Sequence, residues 1–176
     1  MKKTVASAIL ATSFSIVAGM ASADSGNLTF DGEITQSACS IGGGQQGSDI
    51  VVPMGSISTN EFGDIGSRGP DSKFTIALLG CDPSVAGTAA ISFRPSAGNV
   101  VNNRLLSLEN GSGASGVAIG LAQDDGTAIP VGGSPVSYTL LEGSNILTFR
   151  AFYESTNTVV TPGRANARAV FEVNYS

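Results

Sequence analysis

Apolar and polar residues alternate along this chain in short runs, with turn residues roughly every ten positions. Gly26, Leu28, Phe30, Gly32 and Ile34 share one face of such a run, with Asn27, Thr29, Asp31 and Glu33 on the other. Period two is the signature of a half-buried strand. The same signal predicts strands at Ile50–Met54, Phe74–Cys81, Thr88–Pro95, Val117–Leu121, Ser137–Leu141 and Ile146–Tyr153. Asp125-Gly126 predicts a hairpin from Val117–Leu121 into Ala128–Val131. Val100, Val101, Leu105, Leu106 and Leu108 fall in a stretch read as irregular, and Ser56–Asp71 reads as a polar, Gly-rich loop anchored by Phe62. The last run places Ala165, Ala167, Ala169, Phe171, Val173 and Tyr175 inward, and there the sequence ends. No 3.6-residue period is sustained and no βαβ unit appears. The prediction is one all-β domain, an antiparallel sandwich.

The two ends of that pattern complement each other. The opening strand has no tight hairpin to fold it back, while the final strand has no following neighbour to cover its edge. An exposed apolar strand edge invites pairing with another chain. Surplus at one end and deficit at the other predict a head-to-tail contact, which builds an open filament when it does not close. The competing expectation is a self-complemented, secreted, lectin-like binding module whose own N-terminal strand fills the gap.

The first residues bear on compartment. Lys2 and Lys3, the apolar run from Val5 to Met20 and the small residues Ala21-Ser22-Ala23 have the form of a secretory signal peptide. Cleavage after Ala23 leaves 153 residues and takes the net charge from −5 to −7. No later run is apolar enough to insert directly in a membrane. An acidic chain with scattered cations has no footprint for nucleic acid. In an exported chain the two cysteines, Cys39 and Cys81, are expected to pair. Closing a loop of that size is worth about 3–4 kcal/mol in the chain-entropy model. A metal site or a thiol nucleophile would lack partners, because the chain has no His and no third Cys.

The leader, Leu28–Ile34, Cys39, Val52–Thr59, Phe62, Phe74–Leu78 and Cys81 occur in an order and spacing that resembles the type 1 fimbrial, chaperone–usher pilin family. Gly163, fourteen places from the end, and the penultimate Tyr175 fit the same pattern. The resemblance implies an incomplete immunoglobulin-like sandwich completed by a donor strand from another molecule. It implies a signal peptide at 1–23, a donor extension at 24–36 and a pilin domain at 37–176. Gly26, Leu28, Phe30, Gly32 and Ile34 would form the donor face, and the last strand, from Gly163 through Tyr175, the groove and chaperone contact. The implied partners are neighbouring pilin subunits, a periplasmic chaperone and an outer-membrane usher, and the implied location is the cell-surface fimbrium. Within the family a rod subunit is expected rather than a minor or adaptor subunit.

Other chemical signals are weaker than they look. Gly111-Ser-Gly113-Ala-Ser-Gly116 matches a dinucleotide fingerprint by letter, but that fingerprint needs a helix after it and a strand pattern follows here, so a flexible loop is expected. Asp124 and Asp125 are expected to serve a turn rather than paired acid–base work or calcium ligation. Arg164 and Arg168 read as a solvated outer face. With no His and Lys73 the only lysine beyond the leader, no catalytic residue, metal or cofactor is predicted.

Overall fold

The computed structural model describes residues 37–176, which form two antiparallel sheets. The first runs in the order β1 (Ser40–Ile41), β2 (Ser72–Cys81), β9 (Gly143–Ser155), β6 (Val117–Gln123), β5 (Leu105–Leu106) and β4 (Val100–Val101). β7 (Ala128–Ile129) also pairs with β6. The second runs β10 (Ala169–Tyr175), β3 (Thr88–Pro95), β8 (Val136–Thr139). The predicted all-β antiparallel class holds.

The core lies where alternating residues of both sheets meet. Ile76 and Leu78, Ile119 and Leu121, and Phe149 and Ala151 come from the first sheet, with Ala89, Ile91 and Phe93 from the second. Phe149 centres the packing: its ring stands edge-on to Phe93 at 5.3 Å and stacks on Phe74 at 5.4 Å. Such aromatic pairs add to the area they bury. A register shift between Leu78 and Cys81, with Gly80 at φ +61°, is a bulge that returns Cys81 to the core. There it forms the expected disulfide with Cys39, fastening the start of the described chain to the end of β2. The Asp82 amide also donates to the Ala38 carbonyl at 2.9 Å.

Three elements differ from expectation. Ile50–Met54 pairs with no described strand. Its burial still alternates, with Ile50, Val52 and Met54 half-buried and Val51 and Pro53 exposed, but Pro53 has no N–H to donate to a ladder. The stretch read as irregular contains the β4–β5 hairpin, turned by Asn102 and Asn103 at φ 50° and 57°. Two successive left-handed residues make the turn that matches strand twist, and Asn is the side chain that tolerates it best. The final strand begins at Ala169 rather than Ala165, because the carbonyls of Arg164 and Asn166 accept from the loop amides of Ala114 and Glu109, and that of Ala165 from the Tyr153 hydroxyl, instead of from β3.

Candidate functional site

β10 is an edge of its sheet among the described residues, with β3 on one side. Thr88 and Ser176 exchange both backbone hydrogen bonds, at 2.9 and 3.1 Å. Antiparallel pairs alternate between bonded and non-bonded, so Asn174, Glu172 and Val170 turn their backbone groups toward β3. Ala169, Phe171, Val173 and Tyr175 therefore turn theirs to the opposite edge. The side chains of Phe171, Val173 and Tyr175 point inward and are half-buried against the core, as are Ala165 and Ala167 ahead of the strand. One row of residues thus offers an apolar face and a line of donors and acceptors together.

The sequence-predicted groove residues are brought onto one segment, with two differences. Ala169 is exposed and does not pack on the core, at the start of the strand opposite Pro95. Gly163 precedes the strand and lies against another backbone. A Cβ there would fall on Gly113 and on the Ala114 amide nitrogen. The glycine motif that imitates a nucleotide fingerprint thus has a packing role. The Ala114 amide donates to the Arg164 carbonyl at 3.1 Å, the Glu109 amide to Asn166 at 2.8 Å, and Arg168 pairs with Glu109 at 2.9 Å. The loop expected to be flexible is docked by these bonds, and Arg168 has an intramolecular partner. Gly26, Leu28, Phe30, Gly32 and Ile34 lie outside the described residues, as does the predicted leader at 1–23.

Clefts open at both ends of this segment. One, of about 590 Å³, lies between Gly55–Phe62 and Val160–Asn166, with Val117 and Tyr153 also lining it. The other, of about 390 Å³, brings Ser37 and Ala38 beside Val173–Tyr175. In the first, Tyr153 donates its hydroxyl to the Ala165 carbonyl at 2.7 Å. Burial pushes the Tyr153 phenol above its ordinary range. Burial likewise raises Tyr175, against a smaller opposing influence of Ser37, although the Tyr175 hydroxyl is enclosed without a hydrogen bond of good geometry.

Asp124 and Asp125 do separate work. The Thr127 amide donates to Asp125 at 2.8 Å and holds its carboxyl below the usual range, while Lys73 does the same for Asp124 across a 2.8 Å ion pair. Both lie in the turn of the predicted hairpin, but only Asp125 bonds within it. Among the described residues no group of three or more His, Cys, Asp or Glu is gathered as metal ligands, and no helix is long and apolar enough to cross a membrane.

Sequence reasoning missed Glu154. It sits on β9, 1% exposed, and pairs with Arg68 and with Arg104. Arg68 also lies over the Phe152 ring, 4.3 Å from its centroid. An acidic residue at an outward strand position reads as solvated, and only the loop folded over it reveals otherwise.

A two-sheet antiparallel domain whose last strand presents an unpaired edge among the described residues belongs to the class of β-sandwiches. A family model for fimbrial proteins matches residues 28–176, and the chain belongs to that family. It is 33% identical to a fimbrial subunit type 1 of Salmonella typhimurium, across 99% of this chain and 97% of that one. A crystal structure of an antigen and type I fimbria protein of Burkholderia pseudomallei matches 80% of this chain and 91% of its own, at 34% identity and TM-score 0.60. The P pilus rod subunit PapA aligns at 25% identity and TM-score 0.63, over 80% of this chain and all of that one.

Proposed function

We propose that the protein is a structural subunit of a bacterial surface fimbria that polymerises head to tail by donor-strand exchange and supports cell adhesion. The residues Gly26, Leu28, Phe30, Gly32 and Ile34 of one copy would enter the cleft beside β10 of the next. The observation that carries this reading is the alignment on β10 of unpaired backbone groups with a half-buried apolar face. Burial of Leu28, Phe30 and Ile34 in that cleft would contribute roughly 1.5–3 kcal/mol each, with ladder bonds in addition.

An empty cleft leaves a strand edge prone to wrong pairing, which gives a periplasmic chaperone its role before an outer-membrane usher passes the subunit to the fibre. This route follows from the family resemblance. A place in the rod is favoured over a minor or adaptor position, in line with the likeness to a type 1 fimbrial subunit and a rod subunit. The function asked of the chain is mechanical, and no catalytic step is assigned to any residue.

Deletion of residues 24–36 tests the mechanism. The shortened subunit should still bind its chaperone but fail to polymerise on its own; polymers of normal length from the shortened chain would exclude donor-strand exchange through this segment.

A further inference from the structure

The end of β9 touches both walls of the larger cleft. Tyr153 points inward, lines the cleft and bonds the Ala165 carbonyl on one wall. Glu154, the next residue, points outward and is buried beneath the loop leading away from the other wall. The Arg68 Nε donates to its carboxylate at 3.1 Å, Arg104 donates through both terminal nitrogens, and Arg68 spans from Glu154 to the Phe152 ring. Phe152 in turn lies so close over Gly120 that a Cβ there would clash with its ring edge, at Cε2 and Cζ. The backbone repeats the attachment: the Gly66 amide donates to Ser155, the Gly69 amide to Tyr153 and the Ser155 amide to Ser67, each at 2.9 Å. Ser155 Oγ donates to the Asp64 carbonyl at 2.6 Å.

Gly69 completes the link to the cleft. A Cβ built on it would stand 3.1 Å from Ile57 Cδ1 and 3.5 Å from Phe62 Cζ, so both side chains pack on its backbone. Ile57 and Phe62 line the cleft. Arg68 thus precedes the residue on which the two apolar side chains of this wall rest.

A buried carboxylate is a costly way to gain stability, since hydrophobic replacements of such pairs are often neutral or better. Its value here is geometric. We propose that Glu154 is a positioning residue for strand uptake, which acts through Arg68 and Gly69 to hold Ile57 and Phe62 at the spacing an incoming strand of a second copy requires. The proposal rests on the strand-accepting reading of the cleft.

Arg68 and Arg104 separate this role from plain stability. Both touch Glu154, but Arg68 alone adjoins Gly69, whereas Arg104 belongs to the β4–β5 turn, where its carbonyl accepts from the Val131 amide. The experiment takes the chain from Asp24 onward, refolded with its disulfide closed. It measures the association rate of a fluorescent Asp24–Gln36 peptide well below the melting temperature, for the parent, Glu154→Gln, Arg68→Lys and Arg104→Gln. Glu154→Gln and Arg68→Lys should slow association by on the order of tenfold, the scale on which residues that contact neither partner modulate coupling. Arg104→Gln should lower the melting temperature and leave the rate near that of the parent. If Glu154→Gln does not fold, Arg68→Lys against Arg104→Gln decides. Parent rates in both of the slowed variants, or equal slowing in all three, would overturn the positioning role alone. A parent chain that takes up no peptide would overturn the strand-accepting reading beneath it.

Discussion

Single residues here are chosen for close approach and for inward polar contacts. Tyr153 is the clearest case, because its buried hydroxyl holds a carbonyl of the segment before β10. Tyr153→Phe should cost about 1–3 kcal/mol by leaving that acceptor without its donor, read as a lower urea midpoint. The phenol's raised pKa fixes the sign of a pH effect. The folded state holds the proton more tightly than the unfolded, so this stabilisation is complete below the ordinary tyrosine pKa of about 10 and is lost as pH rises through the folded value. Urea midpoints measured from pH 8 to 11 should fall at the alkaline end, less steeply in Tyr153→Phe; an identical slope would remove Tyr153 as a source. Gly120 makes the same point sterically. Gly120→Ala puts a methyl against the edge of the Phe152 ring, and thermal melts should report about 1–3 kcal/mol of overpacking.

Elements were legible where one face is buried and the other wet. The alternating runs at Phe74–Cys81, Thr88–Pro95 and Ile146–Tyr153 all appear as strands, and Asp125-Gly126 turns its hairpin. Legibility failed where the deciding contact is distant in sequence. Ile50–Met54 carries strand periodicity without a described strand partner, and Asn102-Asn103 is a turn signal hidden in an apolar stretch. The Gly111–Gly116 loop looked free because its partner, Gly163, lies some fifty residues on. Gly163→Ala should push that loop away, since the clash is with backbone rather than with a movable side chain. Faster amide exchange at Ala114 and Glu109 would report it, and unchanged protection would show that the contact is dispensable. Of the candidate site, the inward row of β10 could be read from the sequence, but the Glu154 cluster could not. Charge on a strand's outer face carries no sign of the loop that covers it.

At the scale of the molecule, two sheets close over a core whose last strand keeps one edge unpaired among the described residues. The Cys39–Cys81 disulfide, 42 positions apart, restrains the unfolded chain rather than filling that edge. Reducing it should cost about 4 kcal/mol in the chain-entropy model and lower the melting temperature with and without a bound strand. A stable, disulfide-independent fold would mean that the core suffices. The central claim is that the domain gains its full stability from a strand supplied by another copy. Thermal melting of the oxidised chain from Asp24 onward, with and without excess Asp24–Gln36 peptide, tests it most directly. A large rise in melting temperature that tracks peptide concentration is the predicted result. A high melting temperature indifferent to peptide would contradict it, and would mean that the domain completes its own fold.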